Sequence, residues 1–216
     1  MTGPDAVVAS DYDYQTYDRH IGKQISLRPA TVERDLGRLH RWLGSNHVKP
    51  YWQLDLPLPQ FREALSSKVA SDHLTPYIGS LNHVPMSYWE CYWAAEDDVA
   101  NHYDVAPHDQ GVHLLLGPEE YLGQGYALSL LRAVVAMQFR HPETHRIIAE
   151  PDARNEKAVH IFEQCGFEAE TEFHFDEAEK DAVLLVCERE RFESEVLTDA
   201  TAMPAQGTDS GVATDD

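Results

Sequence analysis

The chain has 216 residues, enough for one α/β domain with a proper core, and its three cysteines (Cys91, Cys165 and Cys187) are too few and too widely spaced for a disulfide framework or a zinc ribbon. A formal net charge of −20, from 37 acidic against 17 basic residues, argues against a protein that grips nucleic acid through its phosphates. Acidic residues also stud the expected folded part (Glu96, Asp97, Asp98, Glu168, Glu170, Glu172), as in halophilic proteins. No apolar run would cross a bilayer and the N-terminus lacks the form of a signal peptide, so a cytoplasmic protein with neither membrane nor nucleic-acid partners is expected.

Residues 1–22 are polar, dotted with tyrosine and without periodicity, and are expected to form a flexible arm ahead of a domain over 23–192. Gln24–Arg28 alternates like a strand that Pro29 ends. Thr31 is placed to cap a helix through Leu43, with Val32, Leu36, Leu39 and Leu43 at helical spacing. A loop rich in proline and aromatics, containing His47, Tyr51 and Trp52, leads to a second helix over about Leu58–Ala70 and a strand at Pro76–Leu81. Pro85–Ala94 reads as a strand with Tyr88, Glu90 and Tyr92 on one face and Trp89, Cys91 and Trp93 on the other. It is either a doubly buried strand or a substrate wall, and Tyr88 and Glu90 are the candidates for the latter.

The stretch Gly111–Leu131 organises the rest: a buried strand, a glycine-containing turn and the start of a helix over Ala127–Phe139. His113 and Leu115 face one side of the strand, and Val112, Leu114 and Leu116 the other. Gly123, Gly125 and Ala127 let something approach the backbone closely, and the unpaired amides that open the helix favour an anion. His145–Glu150 is another buried strand, followed by a helix over Asn155–Gln164 that Gly166 closes. Phe173–Phe175 and Ala182–Arg189 read as a final pair of strands, and 193–216 as a disordered acidic tail. This order implies an α/β protein with a mixed sheet and helices on both faces. His102, His108 and His113 fit no common zinc spacing, and no metal is expected.

Pro151–Phe167 (PDARNEKAVHIFEQCGF) resembles the acyl-CoA-binding signature of the GCN5-related N-acetyltransferases (GNAT): Asn155, Ala158, Phe162, Gly166 and Phe167 stand at the signature places. The family's phosphate loop maps onto Leu122–Ala127, where Gly125 and Ala127 match and Leu122 replaces a polar residue. The resemblance implies the GNAT fold, a mixed central β-sheet with splayed parallel strands. Acetyl-CoA or another short acyl-CoA would be the co-substrate, bound by the backbone of Leu114, Leu115 and Leu116, the turn Gly123, Gln124, Gly125, Tyr126 and Ala127, and Asn155, Ala158 and Phe162. A narrower resemblance is to the acyltransferases of hydroxamate siderophore pathways. It is carried by His40, Trp42, Asn46, His47 and Trp52, the Tyr88-Trp89-Glu90 strand, the Asp109–His113 entry to the central strand, and Glu150-Pro151-Asp152. It implies His113 and Asp152 as a catalytic pair acting on a small N-hydroxylated amine; from the residues themselves, His47 and Trp52 either line the acceptor pocket beside Tyr88 and Glu90 or pack their loop against the first helix, and a monomer or homodimer is expected.

A hydroxylamine arrives neutral, so its acylation requires removal of only the proton on the attacking nitrogen, and a histidine whose pKa lies near 6.5 suits that demand. Asp152 could hold the imidazole tautomer, or simply cap the following helix. Phe162 stands where many relatives place a tyrosine that protonates the leaving thiolate, and it has no such proton. The rival readings are a GNAT enzyme acting on an ordinary amine (a polyamine, an aminoglycoside or a protein N-terminus) and a non-catalytic acyl-CoA-binding module.

Overall fold

The computed structural model describes residues 11–176 and 179–197. Its strands are β1 (Tyr14–Asp18), β2 (Lys23–Pro29), β3 (Leu74–Leu81), β4 (Val84–Trp93), β5 (Gln110–Leu116), β6 (Arg146–Ala149), β7 (Glu168–Phe175) and β8 (Lys180–Glu188). They form one eight-stranded sheet in the order β1-β2-β3-β4-β5-β6-β8-β7, mixed because β5 and β6 are parallel while the other neighbours are antiparallel. The helices are α1 (Val32–Leu43), α2 (Lys49–Trp52), α3 (Leu58–Val69), α4 (Tyr126–Gln138), α5 (Glu156–Gln164) and α6 (Arg189–Arg191). This is the GNAT fold.

Alternation along the strands sends two sets of side chains to two cores. Ile78, Tyr88 and Leu115 pack under α1 and α3 with Leu36, Leu39, Leu43, Phe61 and Leu65. Ile25, Leu27, Trp89, Val112 and Leu185 pack on the opposite face under α4 and α5, with Leu130, Leu131, Val134 and Phe162. The expected Thr31 cap forms, its hydroxyl accepting from Arg34 N at 3.3 Å. Asn155 caps α5 in the same way at Ala158 N, and Gly166 follows that helix with φ +87°.

What positions the site is the divergence of β5 and β6. They pair only at Gln110↔Ile147 and Gly111↔Ile148, and β6 then stops at Ala149 while β5 runs on to Leu116. The edge of β5 beyond Gly111 has no strand partner on that side, and a cleft opens there. Gly111 is required for a steric reason: a Cβ would overlap the ring of Tyr92, its partner across β4 and β5.

Two expected boundaries are corrected. Part of the segment read as a flexible arm is β1, paired to β2 from Tyr14↔Leu27 to Asp18↔Lys23, with the Arg140 guanidinium 4.4 Å from the Tyr14 ring centre. As an edge strand half-buried on one face (Tyr14, Thr16, Asp18) and exposed on the other (Gln15, Tyr17), it carries no apolar alternation to reveal it. The tail read as disordered from residue 193 begins with a π-helical turn, Phe192–Val196, that buries Phe192 and Val196. The rest of the expected arm and tail, residues 1–10 and 198–216, lies outside the described residues. β7 also starts earlier than expected, at Glu168, its first turn-side half being polar and exposed. No helix among the described residues is long and apolar enough to cross a membrane.

Candidate active site

His113 lies in β5 with its side chain 32% exposed to the cleft, and both of its ring nitrogens meet carboxylate oxygens. Nδ1 is 3.2 Å from Glu90 Oε2, and Nε2 contacts Glu150 Oε1. With both carboxyls ionised each ring nitrogen donates, an arrangement that favours the imidazolium form of the ring. Burial alone would push the His113 pKa down; Glu150 and Glu90 outweigh it and raise the value to about 10.

Each glutamate is itself held. Burial pushes the Glu90 carboxyl up, but His113 and Lys68 bring it down to about 2; Lys68 Nζ is 2.9 Å away, and Tyr88 donates its hydroxyl to Glu90 Oε1 at 2.8 Å. Burial likewise opposes ionisation of Glu150, and His113, Lys180 and Tyr92 overcome it, so its pKa is lowered. Tyr92 donates to Glu150 Oε2 at 2.6 Å, and Lys180 Nζ donates to the Glu150 backbone carbonyl at 3.0 Å. The phenols of Tyr88 and Tyr92 are pushed well up by burial and by these same carboxylates.

The cleft encloses a cavity of about 280 Å³ and brings together many of the residues read from the sequence: His113, Leu114, Asp152, Asn155, Ala158 and Phe162, with Trp52 and Glu90 also in its lining. Others lie elsewhere. Asp152 lines the cleft, but its carboxylate is on Arg154 (Nε to Oδ1 2.9 Å, Nη2 to Oδ2 2.6 Å) and also accepts from Arg154 N. The partners expected of Asp152 at the imidazole are therefore Glu150 and Glu90, and the cap of α5 is Asn155. Tyr88 is buried beneath Glu90 instead of facing an acceptor. Glu90, expected to meet the acceptor directly, is 2% exposed and spends its oxygens on His113, Lys68 and Tyr88. His47 donates from Nε2 to the Leu116 carbonyl at 2.9 Å, bracing the end of β5 outside the cavity. Leu115 belongs to the core under α1 and α3.

Sequence reasoning missed Lys68, Glu150 and Lys180 as parts of the site. Glu150 was visible only as a motif letter, because nothing in a pattern says where the chain points once β6 has ended. Lys68 sits on the last turn of α3 and meets Glu90 only through tertiary packing.

The turn before α4 stands apart from the cavity and has the features an anion needs. Gly123 and Gly125 have φ of +71° and +76°, and a Cβ at either would meet nothing within 4 Å, so the demand is for left-handed backbone and open space. No side chain caps α4, leaving the opening amides of Tyr126 and Ala127 free of an intrahelical partner. Open amides at the positive end of the α4 dipole attract an anion to this turn.

A family model described as an acetyltransferase (GNAT) domain matches residues 31–175. Over 85% of this chain, N(6)-hydroxylysine O-acetyltransferase of Escherichia coli is 33% identical, and this chain spans 58% of that relative's length. Lysine N-acyltransferase MbtK of Mycolicibacterium paratuberculosis is 31% identical over 68% of this chain and 66% of its own length. Aminoglycoside N(6')-acetyltransferase type 1 of Klebsiella pneumoniae is 32% identical over 67% of this chain and 74% of its own length. Among solved structures, an uncharacterized protein from Bacillus halodurans superposes with a TM-score of 0.81 at 43% identity, covering 83% of this chain and 92% of that one. An aminoglycoside acetyltransferase in complex with coenzyme A superposes with a TM-score of 0.72 at 30% identity, over 80% of this chain and 99% of that one. With the splayed strands, the uncapped helix start and the α5 signature in place, the chain belongs to the GNAT acetyltransferase family.

Proposed function

We propose that this acyltransferase moves an acetyl or other short acyl group from acyl-CoA to the hydroxylamino nitrogen of a small N-hydroxylated diamine or amino acid, such as N6-hydroxylysine, as a step towards an iron-chelating hydroxamate. The observation that carries this reading is that the carboxylates lining the cleft are already matched by cations. Glu90 is on Lys68 and His113, Glu150 is on His113, and Asp152 is on Arg154. An ordinary amine arrives as an ammonium ion and needs a free carboxylate to hold it and a base to deprotonate it. A hydroxylamine arrives neutral and needs neither. The relative named for N(6)-hydroxylysine supports the same acceptor class, whereas the one named for lysine carries an unhydroxylated amine in its name.

The chemistry follows from the cluster. As the acceptor nitrogen attacks the thioester carbon, the C–N bond forms and negative charge gathers on the carbonyl oxygen beside the imidazolium. The nitrogen sheds its proton to solvent in the cleft as the tetrahedral intermediate forms, and the His113 imidazolium gives a proton to sulfur as the C–S bond breaks and the thiol leaves, solvent then reprotonating the ring. This cycle needs no proton from Phe162.

The aminoglycoside-acetylating relative favours a second reading, acylation of a polycationic amine. Thiol release from acetyl-CoA, with the product identified by mass, separates the two. Turnover with N6-hydroxylysine and little with lysine or kanamycin is expected. The reverse order would establish the second reading, and no thiol release with any acceptor would leave a binding module.

A further inference from the structure

The site contains a second carboxylate whose place in the reaction the family resemblance does not supply. Glu90 lies on β4 directly across from His113, in the register Glu90↔His113, with its side chain on the same face of the sheet. It is fixed from three directions: by His113 Nδ1, by Lys68 reaching down from α3, and by the Tyr88 hydroxyl. A carboxylate so enclosed has no freedom to meet substrate, yet it determines what the ring nitrogen beside it must carry.

We propose that Glu90, anchored by Lys68 and Tyr88, is the positioning residue of His113: by accepting the Nδ1 hydrogen it keeps the ring doubly protonated over Glu150, so that the thioester meets a cation. This rests on the reading of His113 as the reacting histidine. Without Glu90, a single carboxylate would face the ring, and the imidazole could sit neutral at neutral pH. The other charged or titratable groups around the ring do not substitute for it. On β4 and after β6, Tyr92 and Glu150 serve Nε2. From the loop beyond β4, Asp97 acts only at a distance, its own carboxyl pushed up by burial. Asp152 is tied to Arg154, and Lys180 of β8 brings positive charge that opposes protonation of the ring. Trp52 of α2 closes the remaining side with an uncharged edge, its ring centre 6.2 Å from that of His113. The doubly protonated ring therefore depends on two carboxylates, one at each of its nitrogens.

The test is an NMR titration of the His113 ring in the free full-length protein, set beside steady-state kinetics, for wild type, Glu90→Gln, Glu90→Asp and Lys68→Met. Wild-type His113 is expected to titrate well above its ordinary value of about 6.5. Glu90→Gln is expected to bring the midpoint down by about one unit or more, and Lys68→Met to move it less. With N6-hydroxylysine, Glu90→Gln is expected to lower kcat about tenfold or more, shift the pH profile with the ring, and leave KM for acetyl-CoA unchanged, while Glu90→Asp recovers most of both. A wild-type midpoint near the ordinary value, or a Glu90→Gln midpoint equal to that of wild type, would overturn the proposal. Because the titration needs no acceptor, a correct titration with no turnover on any hydroxylamine would remove the function proposed above and leave this assignment standing. A thermal melt identifies any variant that fails to fold, and Glu90→Asp then carries the comparison.

Discussion

At the scale of single residues, the site is an imidazolium between two buried glutamates, and each member has a separable consequence. His113→Ala removes the cation and leaves two buried carboxylates without their partner, which costs on the order of 3 kcal/mol in stability as well as activity. His113→Gln keeps a polar side chain but not the charge; kcat is expected to fall about 10³-fold in a thiol-release assay, with a smaller loss of stability than for alanine. Glu150→Gln is expected to lower kcat about 10²-fold, and Asp152→Asn, whose carboxylate is on Arg154, less than about fivefold. Equal losses from the two substitutions would return the orienting role to Asp152. That pair shows where reading residues from a sequence stops. Glu150 and Asp152 flank the same proline, and only the end of β6 and the Asp152↔Ala182 bridge decide which one reaches the ring.

At the scale of elements, β4 and β5 build the site together, and Gly111 is where they meet most closely. Gly111→Ala would drive a methyl group into the Tyr92 ring, whose hydroxyl holds Glu150. It is expected to lower the melting temperature and reduce kcat together, whereas Gly125→Ala, with open space at its Cβ, costs only the left-handed backbone, about 1 kcal/mol. A raised KM for acetyl-CoA with little change in kcat is the expected kinetic signature of Gly125→Ala. These elements were also the most legible. The alternation of Tyr88, Glu90 and Tyr92 against Trp89 and Cys91, and of His113 against Val112 and Leu114, gave both faces correctly because each strand is buried on two sides. Thr31, Asn155 and Gly166 announced helix ends through local hydrogen bonding and backbone freedom, which need no tertiary context. The edge strands β1 and β7 were hidden in whole or part because an exposed edge needs no apolar face, and α2 because one helical turn is too short to show a period.

At the scale of the whole molecule, charge sets the conditions under which the site holds together. A net charge of −20 repels itself, so the melting temperature is expected to rise as potassium chloride is increased from about 0.1 to 1 M, where the screening length falls from about 10 to 3 Å. The buried cluster imposes a pH window of its own. The His113 pKa is raised, so its stabilising contribution is complete below its unfolded value of about 6.5 and is lost as pH rises through about 10. The Glu90 and Glu150 values are lowered, so their contribution is present above the unfolded value of about 4.3 and fades as pH falls, for Glu90 through about 2. Chemical denaturation across pH is therefore expected to show the cluster contributing most between about 4.5 and 6.5, with His113→Gln flattening the alkaline side.

The same charge balance leads to the acceptor, since a cleft whose carboxylates are spoken for has little to offer a polycation. The most direct measurement is the ratio of kcat/KM for N6-hydroxylysine to that for kanamycin, with acetyl-CoA saturating and at neutral pH. The account predicts a ratio of about 10² or more, equivalent to about 2.7 kcal/mol of transition-state preference. A ratio below one would mean that the paired carboxylates rearrange to hold ammonium groups, and it would contradict the account.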